Sequence, residues 1–154
     1  SNVVTSNVNA TGITSAVADS LGGVAAFSVR QVRTAYSGPL MQVRNGTVGT
    51  SKDIYPTIIG DLDTKTLSTF CGSATCYVST WYDQSGQGNN AIQNDPTAQP
   101  TLFSNNDFVS KTKNSRPAIQ APLVAQYMTI PTGNILGSVS NRLPSNWVTL
   151  IGGG

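Results

Sequence analysis

The most informative segment of this chain is Cys71-Gly72-Ser73-Ala74-Thr75-Cys76-Tyr77-Val78-Ser79-Thr80-Trp81-Tyr82-Asp83-Gln84-Ser85-Gly86. A short loop bounded by two cysteines leads into an aromatic and β-branched run, which favours a strand. In a regular strand Tyr77, Ser79 and Trp81 share one face and their neighbours share the other. The Asp, Ser and Gly that follow favour a turn. The segment therefore predicts a half-buried or sandwiched strand in a β-rich domain.

Cys71 and Cys76 are the only cysteines of the chain. Their spacing permits a small disulfide loop, which would stabilise the fold by about 1–3 kcal/mol. Two reduced, buried cysteines are the alternative. The chain has no histidine and no third cysteine, so a structural zinc site is not expected.

The composition is typical of an extracellular protein. Charged residues make up 10% of the chain, against about 25% in ordinary soluble domains. We therefore expect a location outside the cell or on a cell or virion surface. Two tripeptides match the N-glycosylation pattern and make Asn9 and Asn45 the candidate acceptors.

The charge and hydropathy patterns argue against two classes of partner. The net charge is +2, and the basic residues are scattered without an accompanying aromatic stripe. This pattern does not predict nucleic-acid binding. No apolar run approaches the roughly twenty residues of a membrane span, so none is expected.

The chain of 154 residues is long enough for one hydrophobic core. We expect an N-terminal arm or strand over Ser1–Gly23 and one β-sandwich domain over residues 24–154, incomplete at its C-terminus or completed by another chain. Trp147–Ile151 reads as an uncharged edge strand, which favours association. Self-association or pairing with another chain through one of these ends is therefore predicted.

Local patterns predict two short helices among several short strands. Apolar residues recur at helical spacing over Val24–Tyr36, and Asp61 or Asp63 is placed to cap a second helix that runs through Phe70. Turn residues separate the predicted strands, which are Leu40–Arg44, Ala91–Gln93, Thr101–Phe103, Pro117–Gln120 and Tyr127–Ile130. This arrangement favours a sandwich or jelly roll.

Two motifs carry a resemblance to a known family. Phe70-Cys71-x4-Cys76, followed by Tyr82-Asp83-Gln84-Ser85-Gly86-x-Gly88-Asn89, resembles the N-terminal part of the catalytic domain of the fungal α-L-arabinofuranosidase B family. Similar segments in that family match Ala26–Tyr36, Ser37–Arg44 and Ile54–Pro56, so the resemblance covers Ala25–Gln93.

The resemblance implies a mainly β fold, a concanavalin-like β-sandwich (jelly roll) with one or two short helices. It also implies a Cys71–Cys76 disulfide and secretion. The family's catalytic carboxylates lie downstream of the matched segment, so no catalytic residue is carried over to this chain.

Glycoside hydrolysis requires two carboxylates, about 5–5.5 Å apart for retention or about 6.5–9.5 Å apart for inversion. The chain has no glutamate, so the candidates are Asp19, Asp53, Asp61, Asp63, Asp83, Asp95 and Asp107. Capping explains Asp61 and Asp63, and an Asx turn explains Asp83. Serine or cysteine chemistry lacks a histidine base. No catalytic residue is therefore assigned.

The motif also has features of a ligand site. Asp83-x-Ser85-x-Gln87-Gly88 is similar to a calcium loop, but it has one carboxylate and no closing acid, so no metal or other cofactor is predicted. Aromatic and amide side chains together are typical of sugar sites, although core packing is the alternative for Trp81. The candidates for glycan contact are Trp81, Tyr82, Asp83, Gln84, Ser85, Asn89 and Asn90.

Three functional hypotheses follow. The first is an extracellular, non-catalytic concanavalin-like module that binds a glycan or serves as a structural surface or filament subunit. The second is a partial α-L-arabinofuranosidase-type glycoside hydrolase domain that lacks its downstream catalytic carboxylates. The third is a subunit of an extracellular polymer. Polysaccharide or another chain is the expected partner.

Overall fold

The computed structural model describes residues 25–111, 115–119 and 125–131. In chain order the elements are β1 (Met41–Asn45), β2 (Ser51–Ile54), α1 (Thr64–Cys71), β3 (Cys76–Trp81), β4 (Ala91–Ile92), β5 (Thr101–Ser104), β6 (Asp107–Phe108), β7 (Ser110–Lys111) and β8 (Pro117–Ala118). The predicted fold class, mainly β with one or two short helices, is confirmed. Ser1–Gly23 and Trp147–Ile151 lie outside the described residues.

The strands form one large antiparallel sheet with a small second sheet beside it. The large sheet has the order β2-β1-β3-β5-β6, and β4 pairs with the end of β3; β7 and β8 form the second sheet. The central strand β3 pairs with β1 on one side and with β4 and β5 on the other. The most informative segment of the sequence forms a strand, as predicted, and this strand lies at the centre of the sheet.

A β-bulge changes which residues of β3 face the core. The pairs Gln42–Thr80 and Val43–Val78 leave Ser79 as an extra residue between them. Cys76 and Val78 are buried as a regular strand requires, but the next buried residue is Trp81. The expectation that Trp81 shares a face with Tyr77 and Ser79 is therefore wrong, because the bulge reverses the alternation after Val78.

The core lies between the inner face of the sheet and helix α1. The disulfide joins Cys71, at the end of α1, to Cys76, at the start of β3, and both residues are buried within this core. The predicted Cys71–Cys76 pairing is confirmed. The other buried apolar side chains of this cluster are Leu40, Met41, Val43, Ile54, Leu62, Leu67, Val78, Trp81, Ala91, Leu102 and Phe103.

Helix α1 has the predicted cap. The Asp63 carboxylate accepts hydrogen bonds from Thr66 N at 2.9 Å and from Thr66 Oγ1 at 2.6 Å. Asp61 has another role, because it accepts a hydrogen bond from Arg116 at 2.6 Å and lies 3.8 Å from Arg30. Of the two candidate caps, Asp63 is therefore the one that begins the helix.

The helix predicted over Val24–Tyr36 is wrong: from Ala25 onwards this segment, which we call the N-terminal segment (residues 25–36), is irregular. Its backbone groups bond to distant parts of the chain. Gln31 N donates to Gly60 O at 2.7 Å, and Val32 N donates to the side chain of Gln84 at 2.8 Å. Tertiary contacts therefore override the local helical spacing.

The short strands are predicted with mixed accuracy. β1, β4, β5 and β8 lie within or beside the predicted ranges. Tyr127–Ile130 forms only an isolated bridge between Thr129 and Ile92. Strand β2 was not predicted, because Ile54 is its one buried residue and its composition is otherwise polar.

The turn after β1 uses Asn45 as an internal hydrogen-bonding group. Asn45 is 6% exposed. Its Nδ2 donates to the carbonyls of Phe70 at 3.1 Å and Cys71 at 3.5 Å, and its Oδ1 accepts from Thr47 N at 2.9 Å and Val48 N at 3.2 Å. The candidate acceptor nitrogen is therefore turned into the protein.

Removal of the disulfide should weaken the fold. We expect the double variant Cys71→Ala/Cys76→Ala to lose about 2 kcal/mol of unfolding free energy, because the unfolded chain is no longer restrained. Urea unfolding measures the loss, and intact mass before and after reduction with alkylation measures the pairing. Thiols that react in the unreduced wild-type chain would contradict the disulfide.

Asn45 should carry no glycan. A sugar on Nδ2 replaces a hydrogen that bonds to a buried carbonyl, so the glycosylated chain cannot form the observed turn. The test is secretion of an Asn9→Gln variant from yeast, which leaves Asn45 as the only N-glycosylation candidate, followed by intact mass measurement. A mass excess that an endoglycosidase removes would show that the prediction is wrong.

Candidate functional site

The candidate site is the loop of residues 82–90 between β3 and β4, and its centre is Asp83, which is 4% exposed. Oδ1 of Asp83 accepts from Ala26 N and Ser85 N, both at 2.8 Å. Oδ2 accepts from Ser85 Oγ at 2.7 Å and from Asn89 N at 2.9 Å. Four donors from within the chain therefore enclose the carboxylate.

These donors determine the protonation state of Asp83. Burial alone would raise the pKa of the carboxyl group, but hydrogen bonds from the Ser85 side chain and from the backbone of Ser85, Ala26 and Asn89 outweigh burial and lower the pKa below its ordinary value. The group is therefore ionised at neutral pH. A general acid needs the opposite shift, so this environment suits a structural carboxylate.

Gln84 is 1% exposed and pairs with the N-terminal segment as a backbone amide would. Its Oε1 accepts from Val32 N at 2.8 Å, and its Nε2 donates to Arg30 O at 2.9 Å. Its own backbone N donates to Ala26 O at 2.7 Å. Both ends of the side-chain amide are therefore satisfied inside the protein.

Trp81 and Ser85 complete the attachment of the N-terminal segment. Trp81 Nε1 donates to Ser28 O at 3.0 Å, and its ring centre lies 5.8 Å from that of Phe27. Arg33 donates to Ser85 O at 2.8 Å. We call Trp81, Asp83, Gln84 and Ser85 the clamp, because together they hold the N-terminal segment against the sheet.

The remaining motif residues close the loop. Asn89 donates its backbone N–H to Asp83, and Asn90 Oδ1 accepts from Asp83 N at 3.0 Å. The backbone φ angles of Gly86 and Gly88 are 88° and 74°, values that residues with a Cβ atom rarely adopt. The two asparagines therefore take part in the loop's own hydrogen bonding.

Tyr82 is the exception among the candidates for glycan contact. Its hydroxyl donates at 2.9 Å to Oδ1 of Asp53, which lies on β2. The other six candidates make contacts within the loop or with the N-terminal segment. The sequence motif therefore divides into a buried clamp and one residue that reaches the outward face of the sheet.

The calcium-like spacing has a structural explanation. Each Asp83 oxygen already accepts two hydrogen bonds, so a cation would have to displace N–H or O–H donors to reach it. Within the part of the chain that the structure describes, no group of three His, Cys, Asp or Glu side chains is placed to hold a metal ion.

The other described aspartates have separate partners. Asp61 pairs with arginines and Asp63 caps α1, as given above. Asp95 accepts from Thr97 N and Oγ1 in an exposed turn, and Asp107 pairs with Lys111 at 2.7 Å. Asp19 lies outside the described residues. None of these contacts joins two carboxylates into an acid and base pair.

Among the helices of the described ranges, none has the length and apolar character that a membrane crossing requires.

Comparison with known sequences identifies relatives of this chain. The family model described as "Alpha-L-arabinofuranosidase B, catalytic" matches residues 16–127. A probable α-L-arabinofuranosidase B of Aspergillus clavatus is 44% identical over 75 residues, which cover 47% of this chain and 15% of that protein. The α-L-arabinofuranosidase B of Penicillium canescens is 40% identical over 70 residues, which cover 45% of this chain and 15% of that protein.

A solved structure extends the likeness to the fold. The crystal structure of an arabinofuranosidase complexed with arabinofuranosyl-alpha-1,2-xylobiose matches with a TM-score of 0.50 and 28% identity, over 63% of this chain and 22% of that chain. The predicted β-sandwich type of fold is confirmed by this likeness together with the antiparallel sheets. The chain spans about 15% of the length of the curated relatives named above. Because the family match covers more than half of the chain and includes the whole clamp, this chain belongs to the α-L-arabinofuranosidase B family.

Proposed function

We propose that this chain is part of a secreted α-L-arabinofuranosidase-type glycoside hydrolase domain. The family match over residues 16–127 carries the proposal, since it includes the clamp and the disulfide. The solved relative holds arabinofuranosyl-alpha-1,2-xylobiose, which supports an arabinofuranosyl-substituted xylan as the substrate class. Of the hypotheses from sequence, the comparisons support the partial hydrolase domain better than the non-catalytic module.

Within such a domain, this chain supplies structure and leaves the acid and base pair to other residues. It has no glutamate, and the buried Asp83 is fully occupied by donors. Hydrolysis by the family's type of chemistry requires two carboxylates on either side of the glycosidic bond. The clamp instead fixes the N-terminal segment on the sheet, so that the loops around it have a rigid support.

Other parts of the prediction from sequence stay proposals. The low charge content and the disulfide support an extracellular location. Self-association was predicted from Ser1–Gly23 and Trp147–Ile151, which lie outside the described residues. The division into an arm of residues 1–23 and a domain of residues 24–154 also stays a prediction.

An activity measurement on the chain and on a chimera tests the proposed function. We expect the chain alone to release no 4-nitrophenol from an aryl α-L-arabinofuranoside, because it has no glutamate and no contact among the described residues joins two aspartates into a pair. We expect activity from a chimera in which the matched 75 residues of the Aspergillus clavatus relative are replaced by those of this chain. A folded chimera without activity would contradict the proposal.

Turnover by the chain alone would contradict the proposal that this chain supplies structure and that other residues supply the acid and base pair. The informative control is then Asp83→Asn in the same chain. If the variant folds and loses the turnover, Asp83 has a catalytic role and the clamp interpretation is wrong. If turnover is unchanged, the activity belongs to another residue.

Stability measurements test Asp83 as the centre of the clamp. We expect Asp83→Asn to lose about 3 kcal/mol of unfolding free energy, because the amide nitrogen cannot accept from the buried donors. The matched control is Asp95→Asn, which changes the same residue type in an exposed Asx turn. Urea unfolding at pH 7 should show a much smaller loss for the control. Equal losses would contradict the special role of Asp83.

The advantage of Asp83 over Asn should depend on pH. The folded pKa lies below the unfolded value of about 3.9, so the carboxylate's contribution is complete above about pH 5 and disappears as pH falls through the folded pKa. The stability difference between wild type and Asp83→Asn should therefore shrink between about pH 5 and pH 2. A difference that is constant over this range would show that the charge of Asp83 is not involved.

A further inference from the structure

The outward face of the sheet carries a connected row of polar side chains that the clamp does not use. Gln42 Nε2 on β1 donates to Asp53 Oδ1 on β2 at 3.2 Å, and Ser79 Oγ on β3 donates to Gln42 Oε1 at 3.1 Å. Tyr82 donates to the same Asp53 oxygen at 2.9 Å. The row therefore crosses three strands and ends at one carboxylate.

Strand register explains why these side chains meet. Gln42 lies directly opposite Asp53 in the β1–β2 pair, so their side chains are neighbours on one face. The bulge allows Ser79 to reach the side chain of Gln42 from β3. Tyr55 follows the buried Ile54, and by alternation it lies on the same side as Asp53.

Tyrosines border this row. Tyr36 donates its hydroxyl to Pro39 O at 2.6 Å. Burial raises the pKa of Tyr36 to about 12, with further contributions from the charges of Asp83, Tyr55 and Asp53. Burial, followed by the hydrogen bond to Asp53, also raises the pKa of Tyr82. Both phenols are therefore neutral at physiological pH and lie within electrostatic reach of Tyr55 and Asp53.

Two groups on this face remain available to a ligand. Both hydrogen bonds to Asp53 end on Oδ1, and Oδ2 has no hydrogen-bond partner among the described residues. Tyr55 is 51% exposed, and its hydroxyl makes no hydrogen bond within the described ranges. The face thus offers a carboxylate oxygen, which accepts from hydroxyl groups, beside a ring that can pack against an apolar surface.

We propose that the tyrosine–aspartate face, formed by Tyr36, Gln42, Asp53, Tyr55 and Tyr82, binds a neutral glycan chain. Sugar hydroxyls would donate to Asp53 Oδ2, and the C–H surface of a sugar ring would pack on Tyr55. The carboxylate would repel an acidic polysaccharide or a nucleic acid, and the polar row does not match an apolar protein surface. The proposal rests on the proposed function and adds a binding surface that holds one carboxylate and performs no hydrolysis.

Affinity electrophoresis of the full 154-residue chain in gels that contain soluble neutral arabinoxylan tests this surface. We expect arabinoxylan to retard the wild-type chain at low and at high salt, whereas any retardation by polygalacturonate, which the net charge of +2 favours, should disappear at high salt. Tyr55→Ala should weaken binding about three- to tenfold, because a ring contact is lost. Asp53→Asn should also weaken it. The matched control is Tyr127→Ala, since Tyr127 is 55% exposed and lies elsewhere.

The outcomes separate this surface from the proposed function. Wild-type binding that persists at high salt, and that falls with Tyr55→Ala or Asp53→Asn but not with Tyr127→Ala, supports the surface. The absence of retardation by arabinoxylan, equal binding by all variants, or stronger binding to polygalacturonate than to arabinoxylan at high salt overturns it. If Tyr55→Ala does not fold, the result for Asp53→Asn decides. An active chimera with no retardation of this chain would overturn the surface and leave the proposed function standing.

Discussion

The ionised carboxylate of Asp83 joins the N-terminal segment to the loop that follows the central strand β3. One of its donors, Ala26 N, lies 57 positions away in the chain, and the other donors belong to its own loop. The carboxylate therefore fixes the loop and anchors the N-terminal segment at once. Gln84 reaches that segment from the same loop, and Trp81 contacts it from the end of β3, so we expect a change at Asp83 to weaken the neighbouring contacts of the clamp.

The sequence predicts the centre of the fold well, since its signals there are local. Aromatic and β-branched residues before an Asp-Gln-Ser-Gly turn describe a strand and its end, and Asp63 before α1 describes a cap. The N-terminal segment shows the limit of such signals. Its apolar spacing is helical, but Gln84 satisfies its backbone from 52 positions away, and no local pattern reports that contact. No local pattern in the sequence indicates the bulge at Ser79 either.

The sequence suggested two interpretations of the motif after β3, a turn and a glycan site, and the contacts of the loop match the turn. The Asx-turn interpretation of Asp83 matches its contacts. Gln84, Ser85 and the asparagines were also assigned to glycan contact, but Gln84 and Ser85 are buried and both asparagines bond to Asp83 within the loop. The tyrosine–aspartate face was missed because β2 has one buried residue and gave no strand signal. One residue of the motif could have indicated this face. Tyr82 is aromatic, and its side chain lies on the opposite side of the chain from that of its neighbour Asp83.

The clamp holds the N-terminal segment at four positions through the main chain, while Phe27 and Arg33 add side-chain contacts. The groups that it contacts in Ala26, Ser28, Arg30 and Val32 are peptide N–H and C=O groups. Side chains at these positions can therefore vary without loss of those bonds, provided that proline is kept out of positions 26 and 32, where an N–H is required. The clamp tolerates fewer substitutions, because it makes these bonds with side-chain atoms that another residue type would not place in the same positions. Substitutions should therefore be tolerated better in the N-terminal segment than in the clamp. Related chains can differ in the sequence of that segment while they retain the residues of the clamp.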